Sequence, residues 1–133
     1  MRQGMNLARI EWGFGIVLLL AATVVCLIPG QDVPSAFQFN DKLSHLMGHG
    51  ALAAYFTGLV PRRNWWKIFL YLMLFGVAIE VAQYCMHAGR NGDPRDLVAN
   101  VAGVSIGLLV GWMGLARWPE LVSWLATRRG ATP

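Results

Sequence analysis

The sequence predicts an all-α membrane protein built as a bundle of four transmembrane helices. Of its 133 residues, 56% are hydrophobic and only 14% are charged, which lies outside the usual range for a soluble domain. Four apolar segments approach the roughly 20 helical residues needed to cross a hydrocarbon core. The length suits one domain, which we place over residues 1–133.

The four predicted spans are separated by short segments that contain helix-breaking residues. They cover residues 12–28, 42–60, 65–84 and 95–113. Pro29 ends the first span and Pro61 the second, while Pro94 opens the fourth, where its missing N–H is harmless. The first span has basic residues before it, as a signal peptide would, but no cleavage site follows, so we interpret it as a retained anchor.

The basic residues predict that both termini are cytoplasmic, because Lys and Arg of short loops are retained on that side. With four spans, the outer side carries Lys42, Arg90 and Arg95. The inner side carries Arg2, Arg9, Arg62, Arg63, Lys67, Arg117, Arg128 and Arg129. Apolar residues at helical spacing from Trp118 to Leu125, with arginines around them, predict a short interfacial C-terminal helix.

The net charge of +4 does not indicate nucleic-acid binding, because the basic residues lie between apolar runs and do not form one water-exposed face. The two cysteines, Cys26 and Cys85, have no Cys or His partner at zinc spacing. A disulfide framework is therefore excluded as the main source of stability. Both cysteines lie near the predicted outer face, where a single disulfide is geometrically possible.

Small residues mark the faces on which the helices pack, since close backbone approach drives association in lipid. Two stripes have this spacing: Ala99, Gly103, Gly107 and Gly111 in the fourth span, and Gly50, Ala54 and Gly58 in the second. At about 100° per residue, Asp96 and Asn100 lie on the same side as the fourth-span stripe. We therefore expect both to face the bundle and not lipid.

Three groups of polar residues lie near the outer ends of the second, third and fourth spans. They are Asp41, Lys42, His45 and His49; Glu80, Gln83 and Tyr84; and Asp96 with Asn100. Because a charge in the bilayer centre costs from about 2.5 kcal/mol upward, we expect the three groups to share one cavity. Lys42 and Glu80 each oppose their helix dipole, and pairing of Glu80 with Lys42 or Arg90 would relieve this.

These residues resemble the VanZ-like family of small membrane proteins over roughly residues 41–107. The resemblance rests on Asp41, Lys42 and His45 at the start of a span, then Glu80 with Gln83, then Arg90, Asp96, Asn100, Gly103 and Gly107. His49 stands where family members more often carry an aromatic residue, which argues against an essential role for it.

The resemblance implies a place and a ligand class more than a mechanism. Founding members are associated with resistance to glycopeptide antibiotics of the teicoplanin type, which act on lipid-linked cell-wall precursor at the outer leaflet. It therefore implies a multi-pass protein in the inner or plasma membrane of a bacterium.

Two hypotheses for function follow. In the first, the chain is a binding and protection protein whose outer cavity engages a lipid-linked anionic precursor or an amphiphilic antibiotic. Its ligand-binding residues would be Asp41, Lys42, Gln83, Arg90 and Asn100. In the second, it is an intramembrane transferase or hydrolase acting on a lipid head group by acid and base catalysis. Its catalytic candidates would be Glu80, His45 and Asp96.

Each of these residues also has a structural explanation. Asp93 is expected to cap the fourth span, and Asn100 or His45 could simply hydrogen-bond a neighbouring helix. A carrier or channel is disfavoured because the charged residues lie at one membrane face only. His45 and His49 are one turn apart, as metal ligands can be, but Lys42 would repel a cation. We therefore expect no metal and no cofactor.

Overall fold

In the computed structural model, residues 2–29, 32, 41–86 and 93–129 are described, with side chains from 6 to 124. Their secondary structure is helical: α1 (Arg2–Leu27), α2 (Asp41–Leu59), a short 3-10 helix (Arg62–Asn64), α3 (Trp65–Met86), α4 (Pro94–Trp112) and α5 (Trp118–Arg129). The ends of the four predicted spans agree with α1 to α4 to within two residues, except at the start of α1.

Helix α1 begins at Arg2, ten residues before the predicted span. The prediction followed the apolar run, which marks the segment suited to hydrocarbon and not the whole helix. Between the two starts lie helix-forming residues such as Leu7 and Ala8, and no proline. The helix therefore continues past the apolar run toward the N-terminus.

Within the part of the chain that the structure describes, three stretches are long and apolar enough to cross a membrane: Asn6–Leu27, Arg62–Met86 and Pro94–Trp112. Helix α2 is not among them, although its 19 residues span about 28 Å. It carries Asp41, Lys42, His45 and His49, which lower its apolar character. The all-helical architecture is confirmed, whereas a fourth crossing by α2 stays a prediction.

Helices α2 and α4 form the most extensive helix pair, and glycines of α4 allow it. A Cβ added at Gly103 would collide with the carbonyl oxygen of Leu46, and one at Gly107 with that of Gly50. The two backbones can approach this closely only because these positions lack side chains. The predicted glycine stripe is thus the contact face of α4.

An apolar core joins α2, α3 and α4 near the middle of the bundle. Its buried members are Leu52, Ala53, Phe56, Ile68, Leu72 and Val104. Helix α5 docks on α2 through Trp118, whose ring stacks on that of Tyr55 at a centroid distance of 4.7 Å. Cys26 and Cys85 are not joined by a disulfide.

Candidate functional site

The polar residues of three helices meet at one end of the bundle, where α2 and α4 begin and α3 ends. We call them the polar cluster: Asp41, Lys42, His45, Glu80, Asp96 and Asn100. Four members are nearly inaccessible, with exposures of 2% for His45, 8% for Glu80, 1% for Asp96 and 0% for Asn100. The structure therefore brings together side chains from the three groups that the sequence singled out.

His45 connects α2 to both neighbouring helices. Its Nδ1 lies 3.1 Å from Asn100 Oδ1 on α4, and its Nε2 lies 3.6 Å from Glu80 Oε1 on α3. Because Asn100 Oδ1 can only accept, Nδ1 carries the proton that is donated to it. In the neutral ring Nε2 then presents its lone pair toward Glu80, and a protonated ring would pair with the carboxylate.

The two carboxylate oxygens of Glu80 have different surroundings. Oε2 accepts the backbone N–H of Asp93 at 2.9 Å, which ties α3 to the start of α4. Oε1 is buried and has no hydrogen-bond partner. One oxygen therefore holds the helices together, while the other faces His45.

Lys42 lies at the mouth of the cluster between two carboxylates of α4. Its Nζ is 3.1 Å from Asp93 Oδ2 and 3.5 Å from Asp96 Oδ1, and its side chain is 45% exposed. We had expected Lys42 or Arg90 to pair with Glu80. Glu80 instead contacts His45 and the Asp93 amide, and Arg90 lies outside the described residues.

Asp93 caps α4, as predicted, and also contacts Lys42 at the mouth of the cluster. Its Oδ1 accepts the N–H of Arg95 at 2.9 Å. That hydrogen bond, followed by the contact with Lys42, holds the pKa of Asp93 below its usual range. Asp93 thus positions the one lysine that reaches the cluster among the described residues.

Gln83 and Tyr84 lie about one turn beyond Glu80 on α3, and the contact seen for Gln83 is with α1. Gln83 is buried, and its Nε2 donates to the carbonyl oxygen of Cys26 at 2.9 Å, which links α3 to the end of α1. Tyr84 is 69% exposed. The observed role of Gln83 is to join two helices, and its role toward a ligand stays a prediction.

Buried polar atoms without a hydrogen-bond partner are concentrated here. Among the described residues they are His45 Nε2, His49 Nε2, Glu80 Oε1, Asp96 Oδ1 and Asn100 Nδ2. Leaving one such group unsatisfied costs about 1–3 kcal/mol, so native proteins seldom gather several of them in one place. The arrangement is that of a site which water, an ion or a ligand completes.

An apolar cavity of about 390 Å³ lies elsewhere, between α1, α2 and α3. Trp12, Phe56, Ile68 and Tyr71 are among the residues that line it. No member of the polar cluster contributes to its lining. Its size therefore does not make it the chemical site, which is defined by the buried polar atoms.

A family model described as VanZ/LLP1 matches residues 8–116, which include most of α1, all of α2 to α4 and the whole polar cluster. The chain belongs to the VanZ/LLP1 family. This confirms the resemblance inferred from the polar motifs, and with three helices able to cross a membrane it makes the chain a multi-pass membrane protein. No curated protein and no solved structure matches the chain.

Two further residues of this VanZ-like chain lie against the cluster: His49, from the second-span polar group, and Gly76, which was not predicted. His49 is buried, its Nδ1 is 3.1 Å from the carbonyl oxygen of His45, and the two rings stack at 6.2 Å. A Cβ on Gly76 would lie 2.5 Å from Asn100 Nδ2 and 3.1 Å from His49 Nε2. Gly76 stands one turn before Glu80 on the same face of α3, and this spacing was the available signal.

Proposed function

We propose that this VanZ-like chain is a cell-envelope protein whose polar cluster binds the head group of a lipid-linked or amphiphilic anionic ligand. The observation that carries the proposal is the gathering of unpartnered buried polar atoms on His45, Glu80, Asp96 and Asn100. A ligand that forms hydrogen bonds with these atoms would remove the free-energy cost of leaving them unsatisfied. Family membership adds the proposal that the chain contributes to glycopeptide antibiotic resistance in a bacterium.

The proposal includes a topology in which α2 is a fourth span and both termini are cytoplasmic. Helix α2 packs along α4, which is apolar enough to cross a membrane. A helix paired along its length with a spanning helix would share its membrane depth. The distribution of Lys and Arg then supports a position of the polar cluster at the outer leaflet.

Charge limits how an anionic head group would enter. Among the described residues of the mouth, the carboxylates of Asp93 and Asp96 flank the single ammonium group of Lys42, and that of Asp41 lies near Asp96. An anion would therefore approach Lys42 from its exposed side and compete there with Asp93. This predicts binding that weakens as salt screens the exposed lysine.

One observation favours an enzyme as the second candidate. His45 is oriented by Asn100 through Nδ1, and its Nε2 faces Glu80, an arrangement suited to a general base. In a hydrolase, Nε2 would take a proton from water as the water attacks the head group. In a transferase, it would take the proton from a substrate hydroxyl, with Asp96 or Glu80 protonating the leaving oxygen.

The test is binding of a polyprenyl phosphate to the purified chain in nanodiscs, measured by native mass spectrometry. We expect binding to the unchanged chain and at least about tenfold weaker binding to Lys42→Met, which removes the ammonium group that the anion would approach; this corresponds to about 1.4 kcal/mol. Glu120→Gln removes an exposed carboxylate far from the cluster in sequence and should bind normally. Equal binding by all three chains would remove the proposal.

The same spectra distinguish the two candidates. A bound lipid of unchanged mass supports a binding protein, whereas a lipid that loses its phosphate or gains an acceptor supports the enzyme. Diacylglycerol, which has no anionic group, serves as the control ligand. Binding of both lipids with equal affinity would contradict recognition of the head group.

A further inference from the structure

We propose that Asp41, His45 and Asp96 bind a divalent transition-metal ion within the polar cluster. Asp41 and His45 are one turn apart on α2, and Asp96 faces them from the first turn of α4. Their three ligand atoms all lie within 4.8 Å of one another. With bonds of roughly 2.0–2.2 Å to a central ion, ligand atoms stand about 3–4 Å apart, so small side-chain adjustments would complete the site.

A second observation points independently to an ion. His45 Nε2 and Asp96 Oδ1 are buried and have no hydrogen-bond partner, although both belong to side chains that are almost completely inaccessible. A carboxylate removed from water needs a compensating positive charge or hydrogen bonds. Lys42 Nζ lies 3.5 Å from Asp96 Oδ1 but closer to Asp93, at 3.1 Å, so a bound cation would add positive charge at Asp96 and would also take the lone pair of the imidazole.

The donor set indicates the class of metal. Ca²⁺ and Mg²⁺ prefer sites made of oxygen ligands, whereas an imidazole with carboxylates suits Zn²⁺ and related first-row ions. Three protein ligands leave a coordination position for water or another ligand, as in zinc sites that are not purely structural. The site is therefore assigned to a zinc-type ion with an open position.

Lys42 competes with the ion but does not block it. Its Nζ is 3.5 Å from Asp96 Oδ1, and two cations on one carboxylate repel each other. Lys42 has a nearer partner in Asp93, at 3.1 Å, and can remain there when Asp96 binds the ion. We had expected Lys42 to exclude a metal, whereas its position predicts only that it weakens the affinity.

A cation here would also reduce the repulsion between the carboxylates of the cluster and the proposed anionic ligand. It would offset the carboxylates of the cluster, and its open position would accept a phosphate oxygen. This last step rests on the proposed function. Metal binding itself does not, because it is measured without any lipid.

Isothermal titration calorimetry of the full chain in detergent tests the site, with ZnCl₂ and MnCl₂ as probes and MgCl₂ for comparison. Cys26 and Cys85 are replaced by serine in every variant, because thiols bind zinc on their own. We expect about one Zn²⁺ per chain, with affinity reduced by at least about tenfold in Asp96→Asn. Mg²⁺ should bind much more weakly.

A variant with the opposite expected effect keeps the test decisive if Asp96→Asn folds poorly. Lys42→Met removes the competing ammonium group and should tighten Zn²⁺ binding, whereas Glu120→Gln should leave it unchanged. Absence of Zn²⁺ binding, full affinity in Asp96→Asn, or weaker binding in Lys42→Met would each overturn the site. Zinc binding without polyprenyl phosphate binding would contradict the proposed function alone, and the reverse result would contradict the metal site alone.

Discussion

The two ends of the α2 and α4 pair use polar side chains in opposite ways. Toward the end of α2, polar side chains donate to backbone carbonyls: Tyr55 to Glu11 at 2.6 Å, Arg62 to Trp112 at 2.6 Å and Trp118 to Tyr55 at 3.2 Å. These contacts join α1 and α5 to α2, and α4 to the short 3-10 helix that follows α2. At the polar cluster, by contrast, buried donors and acceptors remain without partners.

The hydrogen bonds at the α5 end hold the helices together, whereas the buried groups without partners at the polar cluster do not contribute in this way. A donor that meets a carbonyl stabilises the native state by about 1 kcal/mol, whereas an unpartnered buried group destabilises it. Substitutions at the two ends should therefore differ in kind. At the α5 end they should change stability and leave binding intact, and at the polar cluster they should do the reverse.

The largest effect is expected where α2 contacts Gly103 and Gly107 of α4. We call this contact, which lies between the two ends, the glycine seam. In Gly107→Ala the new Cβ would lie 2.6 Å from Ala53 Cβ and would collide with the Gly50 carbonyl. Backbone cannot move aside as a flexible side chain can, so we expect a loss of roughly 1–3 kcal/mol of unfolding free energy. Thermal unfolding in detergent measures it.

The matched control for the seam is Gly48→Ala, because a Cβ at Gly48 meets nothing within 4 Å. Alanine is a better helix former than glycine, so this variant should be neutral or more stable by up to about 1 kcal/mol. If the two alanine variants melted alike, the seam would not be the close contact described here.

A moderate loss is expected at the α5 end. Trp118→Phe keeps an aromatic ring against Tyr55 but removes the indole N–H that donates to the Tyr55 carbonyl. We expect a loss of about 1 kcal/mol in unfolding free energy and unchanged binding of polyprenyl phosphate. A loss of binding in this variant would show that the two ends are not separable.

A smaller change, with the opposite sign, is expected at His49. Phenylalanine there removes the unpartnered Nε2, loses the bond to the His45 carbonyl and keeps a ring against Phe75. Exchanging a buried polar ring for an apolar one of similar size should leave stability equal or raise it by up to about 1 kcal/mol. Clear destabilisation of His49→Phe in thermal unfolding would mean that the His49 contacts are structural.

The smallest effect concerns pH at the mouth of the cluster. Because the Arg95 amide and Lys42 lower the pKa of Asp93, its ionised form stabilises the folded state. That contribution is fully present above its ordinary value of 3.8 and is lost as the pH falls through the lower folded-state pKa. The stability difference between the unchanged chain and Asp93→Asn should therefore shrink only in acid, and a difference that shrank near neutral pH would contradict this assignment.

The helices could be predicted from sequence because local residues, above all prolines, determine where they begin and end. Pro29, Pro61 and Pro94 mark three boundaries, and apolar runs lie between them. The bundle-facing side of α4 was also predictable, since glycine spacing placed Asp96 and Asn100 on it, and both are buried. Each of these inferences needs only one helix at a time.

The partners within the cluster could not be predicted in the same way. Lys42 was expected beside Glu80, but it contacts Asp93 and Asp96 because α2 and α4 begin side by side at the same level. Helices α2 and α4 are neighbours in space, although α3 lies between them in the sequence. No local sequence pattern predicts such a contact. An essential role for His49 was disfavoured on family comparison, yet its ring stacks on that of His45, one turn away on α2.

The central claim is that the polar cluster is kept for binding and the α5 end for stability. The most direct test is the rise in melting temperature on adding polyprenyl phosphate, because a ligand at about 100 times its Kd stabilises the folded state by about 2.7 kcal/mol. We predict an equal rise in the unchanged chain and in Trp118→Phe, although the latter melts lower, and no more than about half that rise in Lys42→Met, whose affinity should be at least about tenfold weaker. A full rise in Lys42→Met, or a rise lost in Trp118→Phe, would contradict the account.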